Sequence, residues 1–269
     1  MTTVTKQKPT WARTWIIGAI IVISSALIIS IVVDALTSAT PSAVTNPHNL
    51  WYPTGFGANF WNSLSTFTIQ TNIMVLSFFV LALINYFKKN HFPTINQGRF
   101  KFSVTIYITI TFVIFWSSLF KKTINNTDFH DSVALLSFIN TFLLHLFTPL
   151  AMVGYYLLTS GFVKWAVKPS ALKTLPMAIS YLFIYLAYVL IKGTFVGQVV
   201  NQEVEYSYPY FFLNIKADVG TFFIYFSIIL VLFLVLFLIY YYYNNYQYKY
   251  KQRKLKIHEK ETKLPSMTK

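Results

Sequence analysis

Six long apolar runs, joined by short polar connections, govern what this 269-residue chain can become. They occupy positions 14–36, 64–87, 102–120, 132–158, 175–191 and 219–243. A bilayer's hydrocarbon core is about 30 Å thick and a helix rises about 1.5 Å per residue, so about 20 apolar residues cross it. The one formal charge inside all six runs is Asp34. Hydrocarbon offers no water to backbone N–H and C=O groups, so a run of this length must satisfy them within itself, as a helix. The expected fold is therefore all-α: a polytopic membrane protein of six transmembrane helices. It divides into an N-terminal segment at 1–13, a six-helix domain at 14–243 and a basic tail at 244–269. The first run is too long for a signal-peptide core and is read as a retained helix.

Composition agrees, with 55% hydrophobic, 19% aromatic and only 11% charged residues, against about a quarter charged in soluble domains. The net charge of +14 is read by position, as a membrane orientation signal and not as a nucleic-acid footprint. Of 22 Lys and Arg, 18 fall in the N-terminus, the second and fourth connections and the tail, leaving Lys121, Lys122, Lys192 and Lys216 for the other side. Short cytoplasmic loops accumulate Lys and Arg, so both termini are expected to be cytoplasmic, in the cell membrane. The tail from Tyr240 onward, aromatic and then basic, reads as a stop-transfer signal with a solvated end. Its sharper alternative is a grip on anionic lipid headgroups. The longer outer connections, 37–63 and 192–216, are rich in Pro, Gly and aromatic residues and suit irregular or re-entrant structure at the interface.

Residue types exclude several chemistries. With no cysteine, thiol catalysis, Cys-held zinc, iron–sulfur clusters and disulfides are ruled out. His145 is the one histidine of five inside a run, which is too few for a bis-histidine haem. The chain contains no HExxH, no G-x-S-x-G and no P-loop. No metal or organic cofactor is implied.

Polar side chains inside a bilayer are costly and face the bundle interior, so they mark the candidate site. In the second run Thr68, Thr71 and Asn72 stand at i, i+3 and i+4, on one helix face, with Gln70 among them. In the fourth, Ser137, Thr141, His145 and Thr148 form a stripe, and Pro149 should free a carbonyl and kink the helix. The plain reading of both stripes is hydrogen bonding between packed helices. The sharper one uses His145, the one intramembrane group able to exchange protons near neutral pH. A hydroxyl becomes a nucleophile when a nearby base takes its proton, and the Gln70 or Asn72 amide is placed to stabilise an oxyanion. Asp34, near a helix C-terminus that disfavours an anion, is a candidate partner for His145. Counting from the run ends, Thr68 lies about four residues deep and His145 about thirteen, a gap of about 13 Å, which a late or tilted fourth helix would have to close.

The segments FTIQTN in the second run, HLFTP in the fourth and YSYPYFF before the sixth resemble, in that order, the bacterial relatives of the androgen-inducible membrane protein family. Animal members are multi-pass threonine hydrolases of fatty acid esters of hydroxy fatty acids. The resemblance implies a threonine nucleophile at Thr68, with Thr71 as the competing assignment, and a histidine at His145. It also implies a structural turn at Tyr208 and Pro209. In the animal members the proline follows the histidine at a slightly different spacing from His145 to Pro149. The expected function is thus a Thr/His hydrolase of lipid-like acyl esters, with membrane lipids as its surroundings, a pocket between the second and fourth helices, and Gln70, Thr71, Asn72, Asp34 and Thr141 in support. A small transporter and a non-catalytic lipid-binding protein are the competing readings.

Overall fold

The computed structural model describes residues 10–37, 56–88, 98–199 and 208–263. Among them there is no strand. Helix α1 spans Thr10–Thr37, a short α2 Phe56–Leu64, and α3 Phe67–Phe87. Helix α4 runs Arg99–Asn126 through a π-helical turn at Phe115–Leu119, and α5 runs Ser132–Thr159 through a second at Leu143–Phe147. Helix α6, Leu175–Val199, is led in by another π turn at Ser170–Thr174. Helix α7 is continuous over Val219–Lys263. All but α2 are long and apolar enough to cross a membrane, so the six expected spans are the six observed, and the protein is a multi-pass membrane protein.

Helix α4 is the most enclosed span and packs against α3, α5 and α7. Its β-branched run would suit a strand in water. Here neighbours on every side decide the form, and Phe102, Val104, Ile106 and Ile108 are fully buried. The outward faces are apolar as well: Ile21, Ile28, Leu150, Ile184 and Val231 are all more than half exposed, as lipid requires and water would penalise. Between helices, hydroxyls and amides supply specific links, such as Thr109 to the Tyr240 hydroxyl (2.9 Å) and the Asn140 amide donating to the Ala26 carbonyl (3.0 Å).

The basic segments gather at one end of the bundle. Lys101 donates to the Thr159 carbonyl and hydroxyl, both at 2.9 Å, and Lys251 donates to the Ser160 carbonyl. Two ammonium groups thereby satisfy the last carbonyls of α5, where the helix dipole favours cations. Helix α1 begins at this end, with the Trp15 indole donating to the Ala151 carbonyl (3.1 Å). The C-terminal half of α7 lies there too, and Gly161 (φ +81°) lets the loop after α5 pass so close that a Cβ would sit 2.6 Å from Gln247. At the far end Lys192 donates to the Asn62 side chain (2.7 Å). Asp218 there caps α7 by accepting from the Thr221 N–H (3.1 Å) and hydroxyl (2.6 Å), bonds that hold its carboxyl below the usual carboxylate value. The basic tail, expected as a solvated end, continues α7 to Lys263. Its Lys, Gln and Arg residues are good helix formers. At about 1.5 Å per residue, α7 is about 68 Å long, more than twice the hydrocarbon thickness.

Candidate functional site

Thr68 and His145, expected at different depths, are in contact: the Thr68 Oγ1 lies 3.1 Å from the His145 Nε2. Helix α3 starts part-way along the bundle. Helix α2 first carries the chain into the bundle, and the α2–α3 junction is pinned there by α6. The Tyr185 hydroxyl donates to the Ser65 carbonyl (3.1 Å), the Tyr188 hydroxyl bonds the Ser65 hydroxyl (2.8 Å), and Tyr181 donates to the Gln70 side-chain Oε1 (3.0 Å). These tyrosines lie near the middle of α6, so the first turn of α3 lies near mid-bundle. His145 stands midway along α5, at the same level.

The His145 ring is fixed on three sides. Its Nδ1–H donates to the Thr141 carbonyl (2.9 Å), leaving the Nε2 lone pair to accept from the Thr68 hydroxyl. Phe115 stacks on it with ring centroids 3.9 Å apart. Both residues belong to π turns, which recur where a helix re-aims functional side chains. Pro149 has no N–H to donate, and the carbonyls it leaves open are met from neighbouring helices: Trp116 Nε1 donates to His145 O (3.2 Å), and the Asn72 amide to Leu144 O (3.3 Å). The helix therefore widens into a π turn where a simple kink is the sequence expectation.

A third group, absent from the sequence expectation, completes the cluster. The Tyr210 hydroxyl lies 3.4 Å from Thr68 Oγ1 and accepts from the Thr68 N–H at 3.4 Å. Its ring stacks on Phe212, and Phe212 on Tyr225. Tyr208, expected as a structural turn, is buried against Gly193, where a Cβ would come within 2.2 Å of the ring. The signal for Tyr210 was the YSYPYFF segment itself, whose last tyrosine follows the proline.

The remaining expected residues have other partners. The Thr71 hydroxyl bonds Thr111 (2.9 Å) and the Thr68 carbonyl (3.1 Å), away from His145. Gln70 is tied to the Leu64 carbonyl (3.1 Å) and to Tyr181, and Asn72 donates to the Thr68 (2.9 Å) and Leu144 carbonyls. Neither lines the cavity beside Thr68, so the expected amide oxyanion donors are engaged elsewhere. Thr141 acts through its carbonyl, while its hydroxyl donates to Ser137 O (2.9 Å). The Asp34 side chain lies outside the described residues, and with it the expected pairing to His145.

Thr68, His145 and Tyr210 form a partition between two cavities. On one side is a narrow apolar cleft of about 70 Å³, walled by Ile114 of α4, Leu182 and Leu186 of α6, and Ile229 and Leu230 of α7. Phe183 and Phe226 meet edge to face at its lipid-facing rim, centroids 6.0 Å apart. The expected pocket between the second and fourth spans is thus displaced: those spans supply the polar trio, while α4, α6 and α7 supply the walls. On the other side is a polar vestibule of about 400 Å³, lined by Ser30, Thr123, Asn126, Ser137 and Lys122, at the end of the bundle away from the lysine cluster. Among the described residues no cluster of His, Asp or Glu suits a metal ion.

Comparison with known proteins returns no match to this chain among family models, curated proteins or solved structures.

Proposed function

We propose that this protein is an intramembrane hydrolase of lipid-like acyl esters, set in the cell membrane with both termini cytoplasmic. The observation that carries the reading is the 3.1 Å contact between the Thr68 hydroxyl and His145 Nε2, with the imidazole oriented through Nδ1 by the Thr141 carbonyl. This is the order of nucleophile, base and orienting acceptor that hydroxyl catalysis needs. Thr68 Oγ1 attacks the ester carbonyl as its proton passes to His145 Nε2. The tetrahedral oxyanion forms at the first turn of α3, where the helix dipole favours negative charge and the Tyr210 hydroxyl is within reach. His145 returns the proton to the departing alkoxide, and the acyl-threonine is hydrolysed by water activated at the same nitrogen.

The two cavities support this chemistry from opposite sides. An acyl chain suits the apolar cleft and its lipid-facing rim, and the polar vestibule supplies water to the reacting carbonyl and takes up the polar product. The cleft is narrow as it stands, so binding a chain requires α6 and α7 to part at Phe183 and Phe226. The family resemblance points the same way, toward fatty acyl esters of hydroxylated lipids. A second reading, a lipid-binding protein without turnover, draws on the apolar lining and takes the Thr68–His145 bond as a link between packed helices.

The test is hydrolysis of fluorogenic acyl esters of several chain lengths by purified, detergent-solubilised protein. Turnover is expected in the wild type, with a loss of about 10²- to 10⁴-fold in Thr68→Ala and in His145→Gln, the range for removing a positioned base or its partner. Absence of wild-type turnover at every chain length, in protein shown to be folded, overturns the proposal.

A further inference from the structure

A groove at the lysine-rich end of the bundle, remote from Thr68, has the form of a lipid site. It lies between α7 and the segment leading into α6, and encloses about 770 Å³, within the range of small-molecule sites. One half is apolar, lined by Leu175, Leu234, Phe237 and Leu238. Leu234 and Leu238 are 39% and 50% exposed, so this half opens directly onto the lipid-facing surface. Its remaining edge carries Lys164 and Lys249, both exposed, and among the described residues no carboxylate lines the groove. Trp165, Tyr241 and Tyr248 also line it, the aromatic types that favour the edge of the hydrocarbon.

The wall is held firmly. Asn245 accepts from the Trp165 N–H (2.9 Å) and donates to the Trp165 carbonyl (3.0 Å), which also receives the Tyr241 hydroxyl (3.1 Å). Asn244 does the same one turn of loop earlier, accepting from Gly161 N–H (2.9 Å) and donating to Val163 O (3.0 Å). An Asn-Asn pair on α7 thus fixes the loop that presents Lys164, and the groove is preformed.

We infer that this groove binds an anionic phospholipid, its phosphate between Lys164 and Lys249 and an acyl chain along Leu234 and Leu238. Two lysines on one groove, with no carboxylate among its described lining residues, select the charge, and the apolar part opening to the bilayer selects a lipid over a free phosphate. Binding here fastens α7 to the segment that leads into α6, and α6 and α7 further along wall the apolar cleft.

The probe is phosphatidylglycerol brominated on its acyl chains, titrated into the full-length protein in detergent, with quenching of tryptophan fluorescence as the readout. Saturable quenching is expected, its main component absent in Trp165→Phe. Lysine near an anionic lipid surface is worth about 1 kcal/mol, so Lys164→Gln and Lys249→Gln should each weaken binding about 5-fold and the double variant about 25-fold. These side chains are exposed and their loss leaves the fold intact. Lys121→Gln with Lys216→Gln, at the opposite end, should leave binding unchanged. Equal quenching by brominated phosphatidylcholine, quenching that ignores Trp165, or wild-type affinity in the double lysine variant overturns the inference. Displacement by inorganic phosphate alone would identify a simple anion site and overturn it as well.

Discussion

Tyr210→Phe isolates one hydroxyl and leaves its surroundings in place. The ring keeps its stack on Phe212, with centroids 5.2 Å apart and planes 6° from parallel, so no cavity opens. The hydroxyl's bonds to Thr68 Oγ1 and from the Thr68 N–H are both long, at 3.4 Å. A neutral hydrogen bond is worth about 0.5 to 1.5 kcal/mol, and the lower figure fits these lengths. For two such bonds, about 1 kcal/mol, that is a shift of about 2 to 4 °C in melting temperature for a chain of this size. Catalysis should respond far more. A donor aimed at the oxyanion is worth about 10²- to 10³-fold in kcat. In the structure this hydroxyl is shared with the Thr68 N–H, so the lower end, about 100-fold, is expected.

Steady-state hydrolysis of the best fluorogenic ester separates the alternatives. A donor that acts on the oxyanion lowers kcat and leaves KM nearly unchanged, since the bond is made in the transition state and not to the bound ester. Wild-type kcat in Tyr210→Phe, beside an inactive Thr68→Ala, would refute the role argued for Tyr210. A melting temperature more than about 5 °C lower would show that the hydroxyl holds the fold and that any loss of rate is indirect.

Thr71→Val should keep turnover within about 3-fold while losing about 1 kcal/mol of stability through the broken Thr71–Thr111 pair, measured by thermal unfolding in detergent; a dead but folded Thr71→Val would reassign the nucleophile. Gly193→Ala, which drives a Cβ into the Tyr208 ring, should cost about 1 to 3 kcal/mol and lower activity by displacing Tyr210. Gly18→Ala, with nothing within 4 Å, should instead gain up to about 1 kcal/mol in mid-helix. Phe183→Ala, which opens the lipid-facing rim, should shift the preferred acyl group toward bulkier chains, read as at least a 5-fold change in the ratio of kcat/KM for branched and straight esters. An unchanged ratio would mean that the chain reaches Thr68 by another path.

The parts of this protein that sequence makes legible are those the bilayer imposes. Length and apolarity locate all six spans because hydrocarbon leaves the backbone no alternative, and the near-absence of charge within them makes Thr68 and His145 conspicuous. Depth is not legible in that way. Counting residues from the ends of apolar runs assumes that every span begins at the surface. The short α2, with the sequence FGANFWNSL, reads as a loop, yet it carries the start of α3 inward until Ser65 meets Tyr185 and Tyr188. Tyr210 is hidden for a related reason, since its contact to Thr68 joins positions 142 residues apart.

The amides are the more instructive case. Asn72 stands one turn from Thr68 and looks placed to stabilise an oxyanion, but the structure gives its N–H groups to the Thr68 and Leu144 carbonyls. The cause lies on another helix. Pro149 leaves α5 a donor short, and Asn72 with Trp116 makes up the loss, which holds the π turn that aims His145 at Thr68. A residue chosen on chemical type for the reaction therefore positions His145 instead. In the proposed mechanism the oxyanion role then falls to Tyr210, the hydroxyl within reach of Thr68 that the π turns do not need.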